Sequence, residues 1–348
     1  MGKRAIITTK NMVIHGGIAL NRSVRMADIA QKLGISIVSV SKGLAGKDGV
    51  SDEMRAKILE TAAQMGYVAP QARKEERITS GNVGILVADR FIADNAFYPA
   101  LYRQVMVRLA ESGYSSIMEI VSPEAETKEI MPAMVQGNKV DGIIFMGELR
   151  RSYLKKVISS GLPFILLDFY DEELEADSVT SDNVAGAFRI TNAILKSGKR
   201  KIAYVGSIFA TSSIMDRFLG YSKALLQAGL PYRPDWRLED RDVEGRFIPI
   251  RLPEDMPDAF VCNCDEVAYN LVEQLKGLGY RIPEDIAVTG YDDHRFAQIC
   301  DPPLTTYRVN VEDMGRMAAV QLLRKIKGKH FTGGNSVVGG KLIYRDSV

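Results

Sequence analysis

The sequence predicts an α/β chain: an all-α helix-turn-helix head followed by a two-lobed body built on two doubly wound parallel sheets. Three observations carry this. Residues 24–50, VRMADIAQKLGISIVSVSKGLAGKDGV, read as two short helices joined by a tight turn. From Asn82 onward, unbroken apolar runs alternate with helical stretches, as they do when parallel strands are covered on both faces. Charge is also divided: residues 1–77 hold 13 Lys/Arg against 7 Asp/Glu, about +6, and the remaining chain holds 32 against 36. A basic head on a mildly acidic body suits a head that meets phosphates.

The head comes first. Ala30 is small enough for two helices to cross closely, Gly34 frees the turn for positive φ, and Val40 fixes the second helix on the first. Ser36 caps that second helix, whose exposed start is Ile37, Val38 and Ser39. Ser51 caps a third helix with Asp52 and Glu53 in its first turn, where the helix dipole favours anions. Met54, Ile58, Ala62 and Met65 form its apolar stripe, and Gly66 ends it. Residues 1–22 are expected to be a basic, disordered arm or the product of a start codon placed too early, residues 23–67 the helix-turn-helix domain, and residues 68–81 a charged linker containing Pro70.

The body follows, over residues 82–348. Its apolar runs are VGILVA (83–88), SSIMEI (115–120), DGIIFM (141–146), FILL (164–167), KIAYVG (201–206), AFVCN (259–263) and IAVTG (286–290). Helical stretches fall at 98–112, 151–160, 183–197, 214–228 and 265–279, several ending in Gly. Similar lengths of chain on either side of Asp182 suggest two lobes, with a ligand cleft at the carboxyl ends of the strands.

Composition excludes several classes. Three cysteines, two as Cys262-x-Cys264, make no disulfide framework, and none of His15, His294 and His330 has a zinc-like spacing to them. No run of 18 apolar residues suggests a membrane span. The chain has no phosphate-cradling GxxxxGK[ST] and no GxGxxG after a strand, so neither an enzymatic activity nor a cofactor is expected. Asp292-Asp293 is a carboxylate pair.

Several long motifs follow in order: Gly220-Tyr221-Ser222-Lys223-Ala224-Leu225, IPEDIAVTGYDD (282–293), DPPLTTYRVNVEDMGRMA (301–318) and LIYRDS (342–347). With the head, they make the chain resemble the lactose-repressor/galactose-repressor (LacI/GalR) family from about Val24 to Val348. The resemblance implies a head that binds operator DNA and a body folded like periplasmic sugar-binding proteins. It also implies a homodimer controlled allosterically by a small molecule, most simply a sugar, with a purine as runner-up. In that fold the chain crosses between lobes three times. The crossings are expected near 182, 309 and 335, giving lobe 1 residues 82–181 and 309–335 and lobe 2 residues 182–308 and 336–348. The function implied is a cytoplasmic, sequence-specific transcriptional regulator, expected to be a repressor. The alternative is an extracytoplasmic sugar-binding protein without DNA function.

By resemblance, the second helix reads the major groove. Ile37 and Val38 would pack on thymine methyls, since neither can hydrogen-bond a base edge. Ser36, Ser39 and Ser41 suit phosphate or base hydrogen bonds, and Lys42 suits guanine or phosphate where the family often has Arg. Ser23, Arg25 and Arg55 are expected to touch the DNA backbone. The effector residues implied are Phe97, Tyr98, Asp168, Thr211, Ser213, Arg217 and Asp265. Alternatives stand beside these: Asp265 as a helix cap, Arg217 as an interlobe ion pair, Phe97 and Tyr98 as core or dimer contacts. Trp236 reads as packing. The linker departs from the family. Ala72-Arg73-Lys74-Glu75-Glu76 places Glu where an A-R-x-L run would supply a minor-groove wedge. Little operator bending is therefore expected, measurable by circular-permutation gel shift.

Overall fold

A computed structural model of the chain describes residues 24, 26–65, 67, 79–92, 97–328 and 334–348. The arm, Ser23, Arg25, Gly66 and the linker residues 72–76 lie outside the described residues. The chain divides into two compact units, residues 1–78 and 79–348.

The first unit holds α1 (Met26–Leu33), α2 (Ile37–Leu44) and α3 (Asp52–Met65). Gly34 turns the chain between α1 and α2 at φ +64°, a backbone region that costs a side-chain-bearing residue about 1 kcal/mol or more. The Ser36 hydroxyl accepts from the Ser39 amide at 3.0 Å, which starts α2. Ile29, Ala30, Val40, Ile58 and Ala62 are buried together as a miniature core. Gly43 lies so close to Ile58 that an added Cβ would stand 2.6 Å from its Cδ1. A larger residue here would make the Ile58 side chain shift where α2 settles on α3.

The second unit is a three-layer α/β body with two main sheets. The first has the order β11-β5-β4-β3-β1-β2: β1 (Asn82–Ala88), β2 (Ser115–Val121), β3 (Gly142–Met146), β4 (Phe164–Leu167), β5 (Ser178–Ser181) and β11 (Asn335–Val338), paired in parallel. Helices α4 (Phe97–Glu111), α5 (Arg151–Ile158) and α9 (Val311–Ile326) belong to this lobe. The second sheet runs β7 (Arg237–Leu238), β6 (Ile202–Val205), β8 (Ala259–Cys262), β9 (Ala287–Thr289), also parallel. It carries α6 (Asn183–Lys196), α7 (Ser212–Gln227) and α8 (Asp265–Gly277). Two further strands, β10 (Thr306–Arg308) and β12 (Lys341–Ile343), pair antiparallel.

β2 corrects the assumption that every apolar run is buried on both faces. It is an edge strand, and Met118 and Ile120 are exposed. In the second lobe, Gly220 brings α7 against α6. An added Cβ would collide with the Val184 carbonyl and stand 3.0 Å from Ala187 Cβ. That close approach is the physical reason for glycine in the GYSKAL run.

The chain crosses between lobes after β5, after β10 and after β11. The first two crossings fall at Asp182 and at Val309–Asn310. Each ends in a side-chain cap: Asp182 Oδ1 accepts from the Ala185 amide and Asn310 Oδ1 from the Asp313 amide, both at 3.1 Å. The third lies at Gly339–Gly340, not at 335, because residues 335–338 are still hydrogen-bonded to β5 in the first sheet. Trp236 is buried in the second lobe's core, and its indole N–H donates to the Asp255 carbonyl at 2.9 Å. Cys262, Cys264 and Cys300 are buried in the same core and form no disulfide among the described residues.

Candidate functional site

Two surfaces bring together the residues singled out from the sequence, one on each unit.

On the head, the first turn of α2 presents Ile37, 52% exposed, and Val38, 65% exposed. These are large apolar side chains on a helix whose next face, through Val40 and Gly43, is fully committed to the core. Burying them elsewhere would have been worth roughly 1.5–3 kcal/mol each. Ser41 and Lys42 are exposed on the same helix, and Ser39 is half-buried. Ser36 and Ser39 hydroxyls lie 2.9 Å apart, so part of their hydrogen-bonding capacity serves the cap. Lys42 folds back over the next loop, its Nζ 2.9 Å from where a Gly49 Cβ would stand. Arg55 donates to the Lys47 carbonyl at 3.0 Å and so ties down the loop between α2 and α3. Positions 23 and 25 lie outside the described residues.

Between the two lobes of the body lies a cleft of about 1200 Å³. Phe97, Tyr98, Asp168, Thr211, Ser213 and Arg217 all line it. Asp168 follows β4 in the left-handed backbone region, at φ +70°. Aspartate tolerates this region better than most residues, and such positions concentrate at functional sites. Its Oδ2 accepts from the Tyr98 hydroxyl at 2.9 Å, while its Oδ1 is buried without a partner. Burial pushes the Asp168 carboxyl up to about 7, against the pull of the Arg217 charge and the Tyr98 hydrogen bond.

Arg217, on α7, is held on several sides. Nε donates to Asn183 Oδ1 at 2.9 Å and an Nη to the Asn263 carbonyl at 2.5 Å. The other Nη lies 3.5 Å from Asp292, and the guanidinium sits 3.9 Å over the Tyr291 ring. The anionic groups around it keep it charged despite burial. Thr211 caps α7 through its hydroxyl, which also meets Ser213 Oγ at 3.0 Å. Phe97 and Tyr98 meet edge to face at 5.2 Å, and Phe97 reaches His294 of the other lobe at 5.8 Å.

Asp265 departs from the expectation. It is buried beside the cleft but does not line it. Its carboxylate accepts from the Thr306 hydroxyl at 2.6 Å and the His294 amide at 2.7 Å. It packs against Gly290, where an added Cβ would clash with Oδ1. The residue clamps the start of α8 to the strand behind it. The Asp292-Asp293 pair is likewise structural in part: Asp293 takes Arg308 at 2.6 Å and Arg345 at 2.5 Å.

Sequence reasoning missed other cleft groups. Glu148, after β3, accepts from the Ser212 amide at 2.7 Å across the lobes, and burial raises its carboxyl. Tyr170 donates to Asp216 of the other lobe at 3.1 Å. Arg241, Asp240 and Asn263 form a buried triad with contacts of 2.7–3.1 Å. Their spacing in sequence carries no signal, because the loops that bear them follow different strands.

Comparison with known proteins agrees with this architecture. Residues 191–348 match the periplasmic binding protein-like domain family. The chain is 26% identical over 328 residues to the ribose operon repressor of Haemophilus influenzae, covering 93% of this chain and 98% of the relative. Among solved structures, the transcriptional regulator CelR–cellobiose complex superposes with TM-score 0.69 at 24% identity, covering 93% of this chain and all of that one. The lac repressor dimer bound to operator and the anti-inducer ONPF gives 0.64 at 20% identity, covering 94% and 99%. A three-helix head, a two-lobed body crossed three times by the chain, and a match along nearly the whole length make this chain similar throughout to helix-turn-helix transcriptional repressors such as the ribose operon repressor.

Proposed function

We propose that the regulator reads its operator with the first turn of α2 and responds to a small molecule held in the interlobe cleft. The exposed Ile37-Val38 pair carries the first half of this reading. Two exposed β-branched side chains at a capped helix start suit contact with thymine methyls. Ser36, Ser39, Ser41 and Lys42 flank them and would position the helix on phosphates and base edges, with Arg55 and, beyond the described residues, Ser23 and Arg25 on the DNA backbone.

The effector is a sugar or a sugar derivative. Aromatic faces at Phe97 and Tyr98 and directed polar groups at Asp168, Thr211, Ser213 and Arg217 suit a ring with an apolar face and a polyhydroxylated edge. A structural neighbour at 24% identity was solved with cellobiose, which agrees with that chemistry. Differential affinity of the ligand for two lobe arrangements then couples the cleft to the heads of a homodimer. The protein acts in the cytoplasm, on DNA, without a cofactor and without catalysis.

Site selection from a random duplex library with the full chain tests this reading. The wild type enriches one near-palindromic sequence, and Val38→Gln enriches a different one. A wild type without duplex preference at physiological salt overturns it.

A further inference from the structure

The cleft's mouth is built as carefully as its floor, and this rests on the effector reading above. Residues 240–248 of the second lobe form a tight hairpin, bridged at Arg241 and Phe247. Its turn is closed by the Asp242 amide donating to the Arg246 carbonyl at 2.9 Å and the Gly245 amide to the Asp242 carbonyl at 3.0 Å. Asp242 Oδ1 accepts from the Glu244 and Arg246 amides, each at 2.9 Å. The hairpin spans the mouth: at its apex, Gly245 leaves only 3.0 Å between an added Cβ and Arg90 Cδ of the first lobe. Arg90 is itself fixed on Glu126 at 2.7 Å and on the Glu148 carbonyl at 2.6 Å.

This frame presents an aromatic ring to the cleft. The Arg241 guanidinium backs Phe247 at 4.6 Å from the ring centroid and is held in turn by Asp240 and Asn263. Phe247 lines the cleft and stays 38% exposed, and Phe209, 83% exposed, lines the same mouth. A preorganised aromatic face costs little ordering when a ring stacks on it. The inner end has a different character. Asp168 Oδ1 is a buried acceptor without a partner, and Arg90, Arg217 and Arg241 are each engaged by protein carboxylates or carbonyls. The cleft, at about 1200 Å³, also exceeds the roughly 300–1,000 Å³ typical of sites for drug-sized ligands.

We propose that Phe247, backed by Arg241 and accompanied by Phe209, is an outer subsite for a second sugar ring. The effector is then an oligosaccharide of at least two rings, with its inner ring against Asp168, Tyr98 and Arg217.

Titration calorimetry on the full chain tests this with glucose, galactose, mannose and xylose, with cellobiose, maltose, lactose and xylobiose, and with glucose 6-phosphate. At least one disaccharide is expected to bind roughly tenfold more tightly than its component monosaccharides. Phe247→Ala brings that ratio to about one with monosaccharide affinity unchanged, and Phe247→Trp restores it. Circular dichroism confirms that both variants fold. The proposal is overturned if no disaccharide binds, if a monosaccharide or glucose 6-phosphate binds more tightly than every disaccharide, or if Phe247→Ala leaves the ratio intact. The effector reading is judged separately, by the shift each sugar causes in affinity for the selected duplex. A monosaccharide that shifts it sinks the outer subsite and leaves that reading standing.

Discussion

The reading turn of α2 and the interlobe cleft solve opposite problems. On α2, Ile37 and Val38 stand in solvent, open to the DNA contact proposed for them. In the cleft, Arg217 is tied to Asn183, Asn263, Asp292 and Tyr291, and Asp168 to Tyr98. One surface can change specificity at small cost in stability. The other cannot be altered without loosening the joint between the lobes. The contrast teaches that recognition by apolar contact needs only a rigid support, whereas recognition by buried charge needs a network that is part of the fold.

Arg217→Met should separate the two surfaces most sharply. It leaves Asp292 buried without its guanidinium, which costs about 3–5 kcal/mol. Urea unfolding of the full chain should show that loss, and effector response should vanish while any folded protein keeps its duplex preference. If Arg217→Met unfolds within 1 kcal/mol of wild type by this measure, roughly the spread of a typical surface change, the cleft network is not part of the fold. Gly220→Ala comes next. The added methyl meets the Val184 carbonyl where α7 crosses α6, and overpacking of this kind costs about 1–3 kcal/mol. Its thermal midpoint should fall without any change in the selected DNA sequence.

Val38→Gln tests the other side. Its stability should match the wild type, because Val38 is exposed, and its preference should move by about 1–3 kcal/mol at one base pair in each half-site. An unchanged selected sequence would move the reading surface off this turn. A further effect is a pH dependence. Asp168 is raised from 3.8 to about 7 in the folded chain, so the folded state holds its proton more tightly than the unfolded state does. Stability from this group is therefore greatest below about pH 4 and is lost as pH rises toward 7, at up to about 1.4 kcal/mol per pH unit. Asp168→Asn lacks that slope. Thermal melts of both proteins from pH 5 to 8 should diverge up to about 7 and run parallel above it. Parallel curves throughout would mean that the carboxyl is ionised across the range.

Much of this architecture was legible from local pattern. The head was readable because its signals are short-range: Gly34 for a positive φ, Ser36 for a cap, Val40 for burial. The apolar runs located β1, β3, β4, β6, β8 and β9. β5 escaped because SVTS is polar yet wholly buried. Its Ser178 and Thr180 hydroxyls are satisfied by Asn335 of β11, more than 150 residues away, at 3.1 and 3.0 Å. The same distance in sequence hid the outer cleft. Gly245 and Arg90 meet only through a folded hairpin, and no spacing rule joins them. Asp265 misled for a related reason. It stands at the carboxyl end of a strand, where ligands bind, but its oxygens face inward to Thr306 and His294.

The three crossings have a genetic consequence. Asp182 and Asn310 end two of them with the same device, a capping side chain at nearly equal backbone angles, ψ 71° and 73°. The third passes through paired glycines, and Gly340 leaves no space for a methyl beside Tyr307 and the Arg308 carbonyl. Under the proposed effector control, selection for alleles that fold yet no longer respond to the small molecule should therefore recover substitutions at the Asp182 and Asn310 codons, away from the groups that line the cleft.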